Sequence, residues 1–398
     1  MKKSRLPAGG TNLFQKIKAQ CAEAEANGMK LYRLSIGQPR GSALLSARKA
    51  AAEAIMNNEE CMHEYQDNGC PGVPNFALDF VHAHLDQFFL PDHLESQPIS
   101  YLPIPGIKPM LGIIPQACGG INGNQVFVYT MTDPGYPTPA DQARYLGMVH
   151  AALPTNPENQ FRFSVTDVHV KADLIMTNYP HNPSGQVATY HWWMELCDFC
   201  QEHDIRIFND AAYAILIHDR KKACCLTEVA MYYPELSWAE AFSASKVIAN
   251  GTGWRIGAIC GSPDFVADIA TIKGNTDSGI FAPAAAGIIA AMKNDKDSIE
   301  DHRRKYENRL ELLIDLLREN GMKLAVKPKA GFFSLWITPV TAFNQSIENA
   351  EQFNDLMIKN TGIVGVPFGR YIRYAVTSPI QEWKDHISAS FKKAEVGY

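Results

Sequence analysis

The chain has 398 residues, 46% of them apolar and 20% charged, with a formal net charge of −5. This describes a globular chain of two or three domains with ample core, and it carries neither the basic field of a nucleic-acid binder nor an apolar run long enough for a membrane span. Its nine cysteines are an odd number, and Lys2, Lys3 and Arg5 are followed by no apolar segment, so the expectation is reduced thiols in a cytoplasmic protein.

Residues 1–45 are expected to form an N-terminal arm and part of a small domain, residues 46–285 a large domain, and residues 286–398 a C-terminal small domain. Residues 173–185 open with a short apolar run and end in Tyr179-Pro180-His181-Asn182-Pro183-Ser184-Gly185. That pattern predicts a buried strand with Asn182 at its C-terminal edge. Tyr190–His203 then reads as a crossover helix, and Ile205–Asn209 as a second strand delivering Asp210 and Tyr213. Trp238–Phe242 reads as a third, delivering Ser243, Ser245 and Lys246. The 28 positions from Asn182 to Asp210 and the 36 from Asp210 to Lys246 each hold one strand-helix-strand unit. The three groups therefore emerge on one edge of a mostly parallel sheet, where ligands of open α/β sheets bind. Further on, Ile299–Asn320 has helical spacing that stops at Gly321, and Ala330–Ile337 and Tyr371–Val376 read as strands.

The chemistry is concentrated in Phe242–Gly257, FSASKVIANGTGWRIG. A lysine amine forms a Schiff base with an aldehyde, while the hydroxyls of Ser243 and Ser245 and the guanidinium of Arg255 suit a phosphate monoester. Pyridoxal phosphate carries both groups. Asp210 suits a protonated pyridine nitrogen, and Tyr213 the phenolic oxygen of the same ring. No metal site is expected. Cys197 and Cys200 form a CxxC on the predicted helix with no second pair, which favours core packing, as for Trp192 and Trp193. His181 reads as a turn histidine without a catalytic role.

With these residues in place, the chain resembles the class I/II aminotransferases, of the fold type I of pyridoxal-phosphate enzymes. The resemblance implies an α/β fold with a large, mostly parallel sheet flanked by helices and a smaller α+β domain. Leu34-Ser35-Ile36-Gly37-Gln38-Pro39 is similar to the segment whose glycine lies against the substrate carboxylate. Gly106-Ile107-Lys108 lies where the family binds phosphate at a helix start, and Asp133-Pro134-Gly135-Tyr136-Pro137 resembles the motif whose tyrosine stacks on the pyridine. Asn182, Asp210, Tyr213, Ser243, Ser245, Lys246 and Arg255 fall on cofactor positions, and Arg373 on the substrate-carboxylate arginine, with Arg370 its rival. Tyr65 looks like the tyrosine that reaches the partner subunit's phosphate, so a homodimer with shared sites is implied. Two departures stand out: the turn from Lys246 to Arg255 holds one residue more than the family pattern, and the stretch before Arg373 is shorter.

The resemblance implies transamination with ping-pong kinetics, in which Lys246 attaches the cofactor and then moves the α-proton. Lys108 suggests an acidic substrate, although a solvated lysine at a helix start explains it equally; Arg33 and Arg40 are further candidates for a side-chain carboxylate. Stretches 153–159 and 275–281 are similar to the LL-diaminopimelate aminotransferase-like subgroup. Glutamate, aspartate and LL-diaminopimelate are the expected amino acids. A pyridoxal-phosphate C–S β-lyase would use nearly the same residues and is the alternative.

Overall fold

The computed structural model describes residues 13–85, 98–119, 125–168 and 172–398. Its centre is a seven-stranded sheet in the spatial order Ser100–Ile104, Gly257–Gly261, Trp238–Ser243, Arg206–Asp210, Leu174–Thr177, Phe127–Asp133, Val149–Pro154. The five strands from Trp238–Ser243 onward are parallel to one another. Gly257–Gly261 runs antiparallel to both of its neighbours.

The central strands are largely buried and mostly apolar because both faces of the sheet are covered. Leu174, Met176 and Phe208 pack into one core with Ile114, Phe265 and Ile269, while Ile175 and Ile207 point the other way, into a core with Trp193, Leu196 and Cys200. The helix on that second face, Tyr190–Glu202, buries Trp193, Leu196, Cys197 and Cys200. That is an i, i+3, i+4, i+7 stripe. Its start is fixed by Thr189, whose hydroxyl accepts from the Trp192 N–H at 3.3 Å. Removing the fully buried Trp193 side chain would cost about 3–5 kcal/mol.

The second strand is Arg206–Asp210, one residue later at each end than expected. Asp210 pairs with Ala241, and the Ala211 N–H still reaches the Ala241 carbonyl, so the ladder outlasts the apolar run. The third strand likewise runs through Ser243. Four antiparallel strands, Val366–Phe368, Tyr371–Ala375, Phe333–Ile337 and Leu324–Val326, form a smaller sheet. The stretch expected as a strand from Ala330 becomes regular only at Phe333, because Gly331 turns the chain at φ +78°. The long helix spans Lys296–Glu319, and the expected boundary at 285 falls inside the helix Ala282–Asn294. From the N-terminal side, Ile17, Cys21 and Ala24 of the helix Leu13–Ala26 bury against Ile358, Val364 and Phe368, and Tyr32–Arg33 pairs with Ile363–Val364. Among the described residues no helix is long and apolar enough to cross a membrane.

Candidate active site

The parallel strands deliver Thr177, Asp210 and Ser243 to the same sheet edge, and a cavity of about 850 Å³ opens there. It is lined by Gly37, Ile107, Lys108, Tyr136, Asn182, Asp210, Tyr213, Ser243, Ser245, Lys246, Arg255 and Arg373. Of the residues the sequence nominated, only Gly106, Tyr65, Arg40 and Arg370 do not line it. Gly106 forms the cradle wall just behind the lining, and Tyr65 lies outside, with 77% of its surface exposed.

At one end of the cavity the helix Ile107–Ala117 begins after Gly106, whose φ is +79°. No side chain caps that start, so its backbone N–H groups and dipole face the cavity. A Cβ on Gly106 would lie 2.4 Å from Nη2 of Arg255. The guanidinium donates to the carbonyls of Thr252 at 2.9 Å and Pro105 at 3.3 Å. The turn from Lys246 to Arg255 contains two left-handed residues, Ala249 at φ +60° and Arg255 itself at φ +55°. The Ser243 hydroxyl donates to Ser245 Oγ at 3.0 Å.

In the middle, Asp210 is buried, and burial raises its carboxyl to about 6, opposed by the Ala212 N–H that donates to Oδ1 at 3.0 Å. Burial likewise lowers the Lys246 amine to about 8, with the Asp210 carboxylate pulling it back up. Lys246 Nζ lies 4.8 Å from the centre of the Tyr213 ring. An amine tuned that way is partly neutral, and nucleophilic, near neutral pH.

At the other end, Arg373 is 2% exposed and lies 4.2 Å over the Phe333 ring. Its Nη1 donates to Asn182 Oδ1 at 2.8 Å and its Nη2 to the Ser35 carbonyl at 3.1 Å, while Nε is buried without a partner. Burial lowers it to about 10. Gly37 brings backbone close: a Cβ there would sit 3.5 Å from Arg373 Nη2. Arg370 instead faces Glu158 at 4.0 Å in a separate cleft with its side chain 69% exposed.

Sequence reasoning missed Asn178, Ser35 and Thr252, which also belong to this site. Their neighbours in the motifs were the only signal. His181 lies outside the cavity, packed near Phe161 and Tyr179, with Nδ1 at 2.8 Å from Ser184 Oγ and burial lowering it to about 3. Cys197 and Cys200 are buried thiols held well above their usual range by burial, and no metal-ligating cluster occurs among the described residues.

These groups fit pyridoxal phosphate. A cradle of helix N–H groups, two hydroxyls and Arg255 matches its phosphate, a buried carboxyl its pyridine nitrogen and a buried amine its aldehyde. Residues 30–378 match the family Aminotransferase class I and II. The LL-diaminopimelate aminotransferase of Methanococcus maripaludis is 31% identical over 373 residues, covering 91% of this chain and 85% of that protein. That of Methanocaldococcus jannaschii is 30% identical over 91% of this chain and 85% of its own length. The fold also superposes on the aspartate aminotransferase of Rhizobium meliloti, with a TM-score of 0.83 at 18% identity and 99% of each chain covered. With Lys246, Asp210, Arg255 and Arg373 lining one cavity and residues 30–378 matching the family, the chain belongs to the class I and II aminotransferases, and the protein is a pyridoxal-phosphate-dependent aminotransferase.

Proposed function

We propose that this enzyme moves an amino group between an acidic L-amino acid (glutamate, aspartate or LL-diaminopimelate) and a 2-oxo acid by a ping-pong mechanism. The observation that carries the reading is that Lys246, Asp210 and Arg373 line one cavity. Bound there, pyridoxal phosphate supplies an electron sink that eases loss of the substrate α-proton. Lys246 Nζ would hold the aldehyde carbon and, once free, would be the base that takes the substrate α-proton and returns it to the cofactor carbon. The Asp210 carboxylate would pair with the pyridine nitrogen and keep it protonated. Asn182 and Tyr213 would hold the ring oxygen, and Tyr136 would hold the ring. Ser243, Ser245, Arg255 and the N–H groups of Gly106-Ile107-Lys108 hold the phosphate.

Arg373 fixes the α-carboxylate in a bidentate pair, with Gly37 giving the carboxylate room. Lys108, Lys18 and Arg33 also line the cavity and favour a second, distal carboxylate; Arg33 shares its charge with Glu25 at 2.8 Å. The names of the relatives support LL-diaminopimelate among the donors. Tyr65, exposed on its own chain, serves the site of a second copy in a homodimer. The enzyme works in the cytoplasm.

The test is a half-reaction followed by absorbance. Holoprotein is mixed singly with L-glutamate, L-aspartate, LL-diaminopimelate, L-alanine or L-cysteine. Conversion of the aldehyde-form band to the amine form by the acidic donors, reversed by 2-oxoglutarate, is expected. Release of ammonia and pyruvate from L-cysteine with no lasting amine form would replace this reading with a lyase.

A further inference from the structure

Beyond Thr177 the chain leaves the sheet ladder and turns toward Asn182, and two asparagines hold that turn. Asn178, at the cavity edge, donates from Nδ2 to the backbone carbonyl of Asp210 at 2.8 Å. Its Oδ1 accepts from the backbone N–H of Asn182 at 3.0 Å. The Asn182 side chain in turn accepts from Arg373 at 2.8 Å. One amide therefore ties the backbone of Asp210, whose carboxyl is assigned to the pyridine nitrogen, to the backbone of Asn182, whose side chain meets the arginine assigned to the substrate carboxylate.

Asn209 backs the turn. Its Oδ1 accepts from Thr177 Oγ1 and the Tyr179 N–H, both at 2.9 Å, and its Nδ2 donates to the Tyr179 carbonyl at 3.0 Å and to Glu240 Oε1 at 2.7 Å. All four hydrogen-bonding positions of that amide are used. Glu240 is fully buried in a strand where a carboxylate would otherwise be costly. It also accepts from the Leu226 N–H, the Thr227 N–H and the Thr227 hydroxyl. The network is saturated, which makes it rigid.

We infer that Asn178 is a positioning residue for the reaction: it fixes Asn182, and through it Arg373, relative to Asp210, while Asn209 and Glu240 lock the turn from behind. The inference rests on the reading above, in which Asp210 meets the cofactor and Arg373 the substrate. Its physical basis is that carboxylate and cofactor must be held within fractions of an ångström for the α-proton to face Lys246.

The experiment uses holoprotein carrying Asn178→Ala, Asn182→Ala or both, with Asn178→Ser as a second variant whose hydroxyl is too short to span both partners. Three quantities are read: the dissociation constant of succinate, a dicarboxylate that binds without reacting; the pH midpoint of the visible band of lysine-linked cofactor; and the melting temperature. Asn178→Ala is expected to weaken succinate about tenfold, the worth of one ordinary hydrogen bond, and to raise the pH midpoint as Asn182 leaves the ring oxygen. Both effects should shrink when Asn182→Ala is already present, since the two residues then act as one unit. Unmoved succinate affinity and pH midpoint in Asn178→Ala and Asn178→Ser, or full additivity with Asn182→Ala, overturn the inference alone. Lack of the band or of succinate binding in the unmutated protein overturns the functional reading with it.

Discussion

Gly106→Ala separates two physical effects in one substitution. Gly106 has φ +79°, where an alanine costs about 1–2 kcal/mol. That strain is present with and without cofactor, so it appears as lost stability of the apoprotein. The second effect is local. The new Cβ would lie 2.4 Å from Arg255 Nη2 and 3.0 Å from its Cζ, so the guanidinium must swing away from the phosphate position. Losing one charge-assisted contact costs about 1.5–3 kcal/mol, or roughly 10- to 100-fold in pyridoxal-phosphate affinity. Urea unfolding of the apoprotein reads the first effect and fluorescence titration with the cofactor reads the second. In an Arg255→Ala background the affinity loss should largely vanish while the stability loss remains. A Gly106→Ala protein that binds the cofactor within about threefold of the unmutated chain would refute the cradle.

Asp210→Asn should stabilise the apoprotein while crippling the holoenzyme. The Asp210 carboxyl is raised by burial from 3.8 to about 6, so the folded state keeps its proton to higher pH than the unfolded chain does. The charging cost is absent below about pH 4 and nearly fully present above about pH 6, so the variant should gain about 3 kcal/mol in apoprotein unfolding at pH 8 and nearly nothing at pH 3.5. Equal gains at both pH values would discard this account. Arg373→Lys keeps the charge but loses the fork, and KM for both amino acid and oxo acid should rise roughly 100-fold, with Arg370→Lys near unchanged. An arginine role assigned to the wrong residue would show the reverse. Mixing Lys246→Ala with Tyr65→Ala chains should restore activity by assembling one intact site per homodimer, and no restoration in refolded mixtures would argue against shared sites.

The legible parts of this chain were those whose physics is local. Leu174–Thr177 and Trp238–Ser243 announce themselves because strands covered on both faces are mostly apolar, even with Glu240 in the second, and Trp193, Cys197 and Cys200, read as core packing, fall on the buried face of the helix between. Lys246, Asp210 and Asn182 could be placed on one edge because parallel strands export their chemistry at their C-terminal ends. The choice between Arg370 and Arg373 was not local. They sit three positions apart, Arg370 in the hairpin turn and Arg373 on the strand Tyr371–Ala375, and what separates them is that only the strand position meets Phe333 and Asn182, elements far away in sequence.

Asn178 was the least legible of all. Beside Asn182 it reads as another turn former, and nothing nearby in sequence shows that its partner is a carbonyl 32 residues away. The strand register of Thr177 opposite Asn209 decides that partnership, since it sets Asn178 level with Asp210 and puts Asn209 directly behind the turn. A one-residue slip would invert every side chain and part both pairs. The chemistry of this site is thus written in side chains that a sequence shows, while its geometry is held by pairings that only the register of the sheet creates.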